Sequence, residues 1–247
     1  MENMKKFNYN LIMIKIFTIF LFFLNTSNYI FAGAPALNED PIPPAPYSLT
    51  KTNHLIIGVE WDKKSIEKFL PPELSNQPLI TGGINVFNSK KKQPFYPVSG
   101  GYAWIDVPNN NKNEKFILFS IYGLNKSLNN VMNKVYNLNS EMGSNKVTLI
   151  NNNATANTSV RKKNILSLSA SASKECAKAQ GVDYLITKIN DKIKTYQQLE
   201  WTTKSQCKVE PTKISLKGIY ENYKVKKMLW ANTLKDAEII IKDKFTK

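Results

Sequence analysis

Hydrophobic and polar positions alternate along much of this chain of 247 residues, and the alternation predicts β-strands. The clearest stretch is 165–173, where Leu166 and Leu168 point to one face while serines at every second position point to the other. The apolar face predicts packing on a core, and the serine face either lines a polar cavity or meets solvent. Shorter apolar or alternating runs predict further strands at 54–61, 79–87, 101–107, 116–122, 146–150, 182–189, 195–203, 206–216 and 223–231.

Three stretches have the signals of helices. Asp62 is placed to cap a short helix over 63–70, which Pro71 and Pro72 end. Between Leu124 and Leu138, apolar residues recur at spacings of four and three, which predicts one buried helix face. Thr233 and Asp236 resemble a capping box and predict a last helix through Phe245.

The segments between these elements predict irregular structure. Residues 35–47 are rich in proline and predict an extended arm laid on the domain, and the asparagine-rich stretch 151–158 predicts a turn. Many strands with two or three flanking helices give an α+β class, with a curved or closed antiparallel sheet.

The first 32 residues have the layout of a secretory signal peptide. Lys5, Lys6 and Lys15 give a basic start, an apolar run of nine residues follows over 16–24, and Ala32 begins a group of small residues. The run is shorter than the roughly 20 apolar residues of a membrane-spanning helix. We therefore expect cleavage after Ala32, a single domain over 33–247 without a transmembrane segment, and a periplasmic or secreted location.

The charge is strongly positive, at +15 for the whole chain, and +13 remains when residues 1–32, with three lysines and one glutamate, are removed. Such a charge can attract nucleic acid or anionic surfaces. However, Arg161 is the one arginine of the chain, and base and phosphate readers favour the bidentate guanidinium. We expect a solvated lysine surface, with binding to an anionic surface as the alternative, and no specific nucleic-acid partner.

Two cysteines, Cys176 and Cys207, predict a disulfide in an exported protein, with two separate buried thiols as the alternative. A zinc site is not expected, because His54 is the one histidine and no paired-cysteine spacing occurs. No glycine-rich phosphate loop and no serine–histidine–aspartate order is recognisable, and no cofactor or metal is expected.

The order of several short motifs carries a resemblance. Pro43-Pro44-Ala45-Pro46-Tyr47 comes first, a strand and helix then lead to Leu70-Pro71-Pro72-Glu73-Leu74, and a hairpin reaches Trp104-Ile105-Asp106-Val107-Pro108. Ser140-Glu141-Met142-Gly143-Ser144-Asn145-Lys146 follows a helix, and the chain closes on Ala237-Glu238-Ile239. Over about 43–245, this order resembles the acetoacetate decarboxylase-like superfamily.

The resemblance implies a cone-like closed sheet, or barrel, around an internal pocket. It also implies a lysine that forms a Schiff base with a small keto acid, so that the protonated imine withdraws electrons as carbon dioxide leaves. Such a lysine must be neutral to attack, which desolvation or a neighbouring cation achieves, and acetoacetate decarboxylase is a standard example. Assembly into a homo-oligomer is a further implication.

The family pattern places arginine-glutamate before glycine-tyrosine-proline and two lysines. Glu141 and Gly143 match it, and Lys146 takes the place of the first lysine after a one-residue deletion. Without that deletion the nucleophile position falls on Ser140. The resemblance thus implies that Lys146 is the imine-forming amine and that Glu141 is a nearby acid or base.

Two functions follow from these residues, and a surface interaction protein that uses the charge of +13 is a further option. One is an exported Schiff-base lyase that decarboxylates a small keto acid. The other is a non-catalytic protein of the same fold that binds a small or lipid-like ligand in its pocket. The position of Lys146, inside an apolar pocket or in solvent, separates the two.

Overall fold

Strands dominate the computed structural model, which describes residues 42, 44–89, 98–108, 113–123, 126–150, 153–171, 175–190, 193–243 and 245–246. The predicted signal peptide, its cleavage site and residues 35–41 and 43 of the proline-rich arm lie outside these residues. The twelve strands are β1 (Tyr47–Trp61), β2 (Thr81–Ser89), β3 (Ser99–Asp106), β4 (Glu114–Tyr122), β5 (Glu141–Met142), β6 (Ser144–Ile150), β7 (Asn153–Val160), β8 (Lys163–Ser171), β9 (Cys176–Asn190), β10 (Ile193–Leu216), β11 (Val225–Ile241) and β12 (Phe245–Thr246).

Short helices join the strands. The side chain of Asp62 accepts a hydrogen bond from the Ser65 amide and so caps the first helix, as predicted. The predicted helix between Leu124 and Leu138 is also present, and its second half widens into a π-helix. The helices are α1 (Lys63–Ile66), α2 (Pro72–Ser75) and α3 (Lys126–Asn130), with 3₁₀ turns at Glu67–Phe69 and Gly218–Asn222 and the π-helical segment at Val131–Val135.

Seven strands form a closed ring. They pair in the order β11-β1-β2-β3-β4-β9-β10, and β10 pairs with β11 to complete the circle. The pairs are antiparallel except for β4 with β9, which run parallel. The expected closed, mostly antiparallel sheet with two or three helices is confirmed.

A second, smaller sheet extends from the ring through one long strand. β10 contributes Glu210–Leu216 to this sheet, where it pairs with β8, and β7 and β6 follow in order. Leu166 and Leu168 of β8 are buried in a core that also contains side chains of ring strands, including Leu55 and Ile57. The serines of β8 face away from this core and are half-exposed. Of the two alternatives that the sequence left open for the serine face, the structure therefore shows contact with solvent.

The opposite face of the ring strands points inward, as the period of two requires. Tyr102 and Trp104 of β3 lie on this inner face, whereas Ala103 and Ile105 lie in the core beside the second sheet. Leu128, Val131 and Met132 of the α3 region pack with inner-face residues in a second cluster.

Two local predictions were wrong. The residues from Thr233 onward continue β11 to Ile241 instead of opening a helix, because they pair with β1 on one side and β10 on the other. The stretch 151–158 is not a turn throughout: β7 begins at Asn153, and Ala154, Ala156 and Thr158 are buried at alternate positions. Small side chains hid the alternation in the sequence.

Candidate functional site

A cavity of about 140 Å³ lies within the ring, and every strand of the ring contributes to its wall. Aromatic and aliphatic side chains form most of the lining, and a few polar and charged groups interrupt it. The lining residues are His54, Ile56, Asn85, Tyr102, Trp104, Lys115, Asp183, Leu199, Trp201, Gln206, Trp230, Asn232, Leu234 and Ile239.

Three tryptophans of this wall lie over glycines of the neighbouring strands. A Cβ atom on Gly58 would come within 2.1 Å of the Trp230 ring, one on Gly83 within 2.5 Å of the Trp104 ring, and one on Gly181 within 2.6 Å of the Trp201 ring. Each glycine is the direct cross-strand partner of its tryptophan. Because glycine has no Cβ atom, each indole has room to lie over its partner glycine on the inner face of the sheet.

A buried polar network crosses one side of the cavity. Thr52 Oγ1 lies 2.9 Å from His54 Nε2, and Asn85 Oδ1 lies 3.2 Å from His54 Nδ1. The Asn85 amide in turn donates to the Tyr102 hydroxyl at 3.0 Å. Burial lowers the pKa of His54 to about 4, so its imidazole is neutral at pH 7. Burial likewise raises the pKa of Tyr102, which keeps the phenol neutral.

One ion pair forms the charged part of the wall. Lys115 Nζ lies 2.7 Å from Asp183 Oδ1, and both side chains are less than one-fifth exposed. The same amine lies 4.9 Å from the ring centroid of Trp104, within cation–π range. Lys115 is thus already engaged by a carboxylate and an aromatic face, and the pair contributes no net charge to the cavity.

Lys146, the predicted imine-forming amine, is exposed on β6 and does not line the cavity. Its neighbours Asn145 and Val147 take the buried positions of the strand. The Asn145 amide donates to the Ile121 carbonyl at 3.2 Å, and its oxygen accepts from the Thr158 hydroxyl at 2.7 Å. The period of two therefore buries the Asn145 amide and leaves the adjacent lysine exposed.

Ser140 and Glu141 have different surroundings. Ser140 is buried, and its hydroxyl is within hydrogen-bond distance of Asn129 and Asn133. Glu141 is exposed and accepts a hydrogen bond from the Tyr220 hydroxyl at 3.0 Å. The structure therefore does not bring Glu141 and Lys146 into the ring cavity.

The predicted cysteine pair is present. Cys176 of β9 and Cys207 of β10 are cross-strand partners and form a disulfide. Cys207 directly follows Gln206, a residue of the cavity wall, so the bond fixes two ring strands beside the cavity.

Two wider features bear on the site. Among the residues that the structure describes, no group of three His, Cys, Asp or Glu side chains is arranged to hold a metal ion. Across the same residues, no helix has the length and apolar character needed to cross a membrane.

The chain was compared with known proteins. Neither a protein-family model nor a curated protein matches it in sequence. Solved structures do match it in fold. An acetoacetate decarboxylase superposes with a TM-score of 0.69 at 14% identity, covering 89% of this chain and 97% of that one.

Two further structures agree. The acetoacetate decarboxylase of Legionella pneumophila gives a TM-score of 0.67 at 12% identity, covering 88% of this chain and 93% of its own. The enduracididine biosynthesis enzyme MppR, complexed with pyruvate, gives 0.61 at 8% identity, covering 87% of this chain and 95% of its own. The predicted resemblance is confirmed at the level of fold: the chain has the acetoacetate decarboxylase-like fold.

Proposed function

We propose that this protein is a binding protein that holds a small, uncharged, planar molecule in the cavity of its ring. The observation that carries the proposal is the wall of three indoles, each seated over a cross-strand glycine around a cavity of about 140 Å³. An engineered protein cavity of about 150 Å³ binds benzene, so the space suits a ligand of that size. Cavities for drug-sized ligands are larger, typically about 300–1,000 Å³.

The polar groups of the wall favour an uncharged ligand with a hydroxyl or amide group. The side-chain amides of Gln206 and Asn232 reach the cavity and, within the described part of the chain, make no hydrogen bond to other residues. They can therefore donate to and accept from a ligand. An anionic ligand such as a keto acid would meet Asp183 beside Lys115, and its entry would compete with the existing ion pair.

The Schiff-base lyase predicted from Lys146 and Glu141 stays a prediction. An exposed amine is solvated, whereas imine-forming lysines depend on desolvation or on a neighbouring cation. For this reason the geometry supports binding better than decarboxylation.

Export is part of the same proposal. The Cys176–Cys207 disulfide supports a periplasmic or secreted location, because such bonds form and persist in oxidising compartments. The fold resemblance also implies a homo-oligomer, and measurement of the mass in solution would test this expectation.

Thermal unfolding with two sets of compounds tests the proposal. Phenol, benzyl alcohol and benzamide form the uncharged set, and pyruvate and acetoacetate form the keto-acid set. A ligand at a hundredfold excess over its Kd should raise Tm by roughly 5–10 °C. We expect a rise with the uncharged set alone, and no rise with any compound would contradict the proposal.

Borohydride reduction in the presence of the keto acids separates the lyase from the binding protein. An imine reduced on Lys146, found by peptide mass and lost in Lys146→Ala, would establish the lyase. We expect no adduct on a protein that circular dichroism shows to be folded.

A further inference from the structure

A second cleft, of about 430 Å³, lies away from the ring cavity and shares no lining residue with it. It exists because the sheet has a gap beside β4. That strand pairs with β9 over Glu114–Phe116 and with β5 over Ile121–Tyr122, and within the described residues no strand lies opposite 117–120 on that side. The lining consists of Phe69, Phe116, Ile117, Leu118, Phe119, Ser120, Asn137, Leu138, Asn139, Glu141, Thr187, Ile219, Tyr220, Asn222 and Tyr223.

Four aromatic rings cluster at this cleft. The Phe119 and Tyr220 centroids are 4.7 Å apart, those of Phe69 and Tyr223 are 4.8 Å apart, and Phe119 is 5.2 Å from Tyr223. Phe69 keeps 38% of its surface exposed and Tyr223 is half-buried, so these two rings form the open side of the cluster, whereas Phe119 and Tyr220 are buried. The faces of such rings carry partial negative charge and attract cations.

Glu141 places a full negative charge beside these rings. One of its oxygens accepts the hydrogen bond from Tyr220, which fixes the carboxylate against the aromatic cluster. Burial and this hydrogen bond raise the pKa of Tyr220, so the phenol remains the donor at neutral pH.

The charge of the lining differs from that of the chain. The chain has 34 lysine and arginine residues, but the described residues that line the cleft include one carboxylate and no lysine or arginine. The lining itself therefore favours a positively charged ligand. The exposed Lys68, outside the lining, already places its Nζ 5.0 Å from the Phe69 centroid, so a cation bound at Phe69 takes the place of this amine.

We propose that the cleft binds an organic cation with an alkylated ammonium group, its charge beside Glu141 and its alkyl groups against the open rings of Phe69 and Tyr223. Weak hydration of alkylated ammonium lets the aromatic faces contact it directly, which is how aromatic sites recognise quaternary ammonium ligands. A keto acid or an uncharged aromatic compound lacks the charge that this lining selects.

Calorimetric titration of the full chain with choline tests the proposal, with its neutral isostere, in which a tert-butyl group replaces the trimethylammonium group, as the matched ligand. We expect choline to bind at least about tenfold more tightly than the isostere. Equal affinities, or no detectable binding of choline, would overturn the proposal.

Variants locate the binding. Glu141→Gln keeps an acceptor for Tyr220 and removes the charge, and Tyr223→Leu removes one ring from the open side; each should weaken choline binding by about tenfold or more. Glu238→Gln, an exposed carboxylate on β11 outside the cleft, is the charge control and should leave the affinity unchanged. A Glu141→Gln protein that is folded and binds choline as the wild type does would contradict the assignment.

Discussion

The indole of Trp230 covers Gly58 across the β1–β11 pair: a Cβ atom at Gly58 would fall 2.1 Å from Trp230 Cε2. Trp230 is 44% exposed and lines the ring cavity, so this contact defines part of the cavity opening. The glycine is required here for close approach between strands, and the tryptophan covers the backbone that the glycine leaves bare.

Gly58→Ala should displace the Trp230 ring. We expect the free energy of unfolding to fall by about 1–3 kcal/mol, the cost of overpacking, and the tryptophan emission to shift to longer wavelength as the indole becomes more exposed. Chemical denaturation and fluorescence spectra measure both effects.

Gly218→Ala is the control, because this replacement should lower the stability of the protein through backbone strain alone. Gly218 has φ of +65° and no atom near the position of a Cβ, so alanine there should cost roughly 1–2 kcal/mol without changing the emission spectrum. If Gly58→Ala behaved in the same way, the Trp230 contact would not exist as described.

Asn145 and Lys146 are adjacent but should respond very differently to alanine. Asn145→Ala leaves the Ile121 carbonyl and the Thr158 hydroxyl without their buried partner, which should cost about 2–3 kcal/mol of stability. Lys146→Ala changes an exposed side chain and should stay within about 0.5 kcal/mol of wild type. Denaturant titration of the two variants checks the orientation of β6, and a reversed order would show that the lysine, not the asparagine, points inward.

The disulfide should contribute substantially to stability. Cys176 and Cys207 are 31 residues apart, and closing a loop of that length stabilises by roughly 3–4 kcal/mol in the chain-entropy model. The Cys176→Ala/Cys207→Ala double variant should lose this amount in denaturant titration. Addition of reductant should destabilise the wild type and leave the double variant unaffected; an equal response in both proteins would exclude the bond.

His54 should make stability depend on pH. Its pKa is about 4 in the folded protein and about 6.5 in the unfolded chain, so between these values the unfolded state binds more protons. The free energy of unfolding should therefore fall as the pH is lowered, by about 2 kcal/mol between pH 7 and pH 5.

No other histidine contributes, because the chain has one. His54→Gln should unfold with a flatter pH dependence over this interval, whatever its stability at pH 7. An unchanged slope in that variant would show that His54 is not buried in its neutral form.

The elements that the sequence predicted correctly are those with a strong local signal. The first short helix is specified by Asp62 at its start and by two prolines at its end. In β8, the alternation of leucine and serine shows directly which residues are buried and which are half-exposed. Two cysteines allow a single pairing within the chain.

The wrong predictions have local signals that tertiary pairing overrides. Thr233 and Asp236 are spaced as a capping box, yet Thr233, Ala237, Ile239 and Ile241 are buried within a strand that has partners on both sides. Asp236 takes a positive φ of 49° at the point where the register between β1 and β11 shifts. Long-range pairing of this kind cannot be read from a few neighbouring residues.

The resemblance predicted an internal pocket, but the residues that line it were missed for a related reason. Trp104, Trp201 and Trp230 reach it only because each is opposite a glycine on another strand, and that register is set by the whole sheet. The motif of the fold family pointed instead to Lys146, and a shift of one residue in a strand reverses which side chain faces inward.

Nuclear magnetic resonance of the four indole N–H groups tests the central claim most directly. Trp104, Trp201 and Trp230 line the ring cavity, whereas Trp61 lies in the core beside the second sheet, where its N–H donates to the Trp104 carbonyl. On titration with phenol or benzyl alcohol, the signals of the three cavity indoles should shift in a saturable manner, and that of Trp61 should move least. Absence of any saturable shift, or a shift confined to Trp61, would contradict a binding site within the ring.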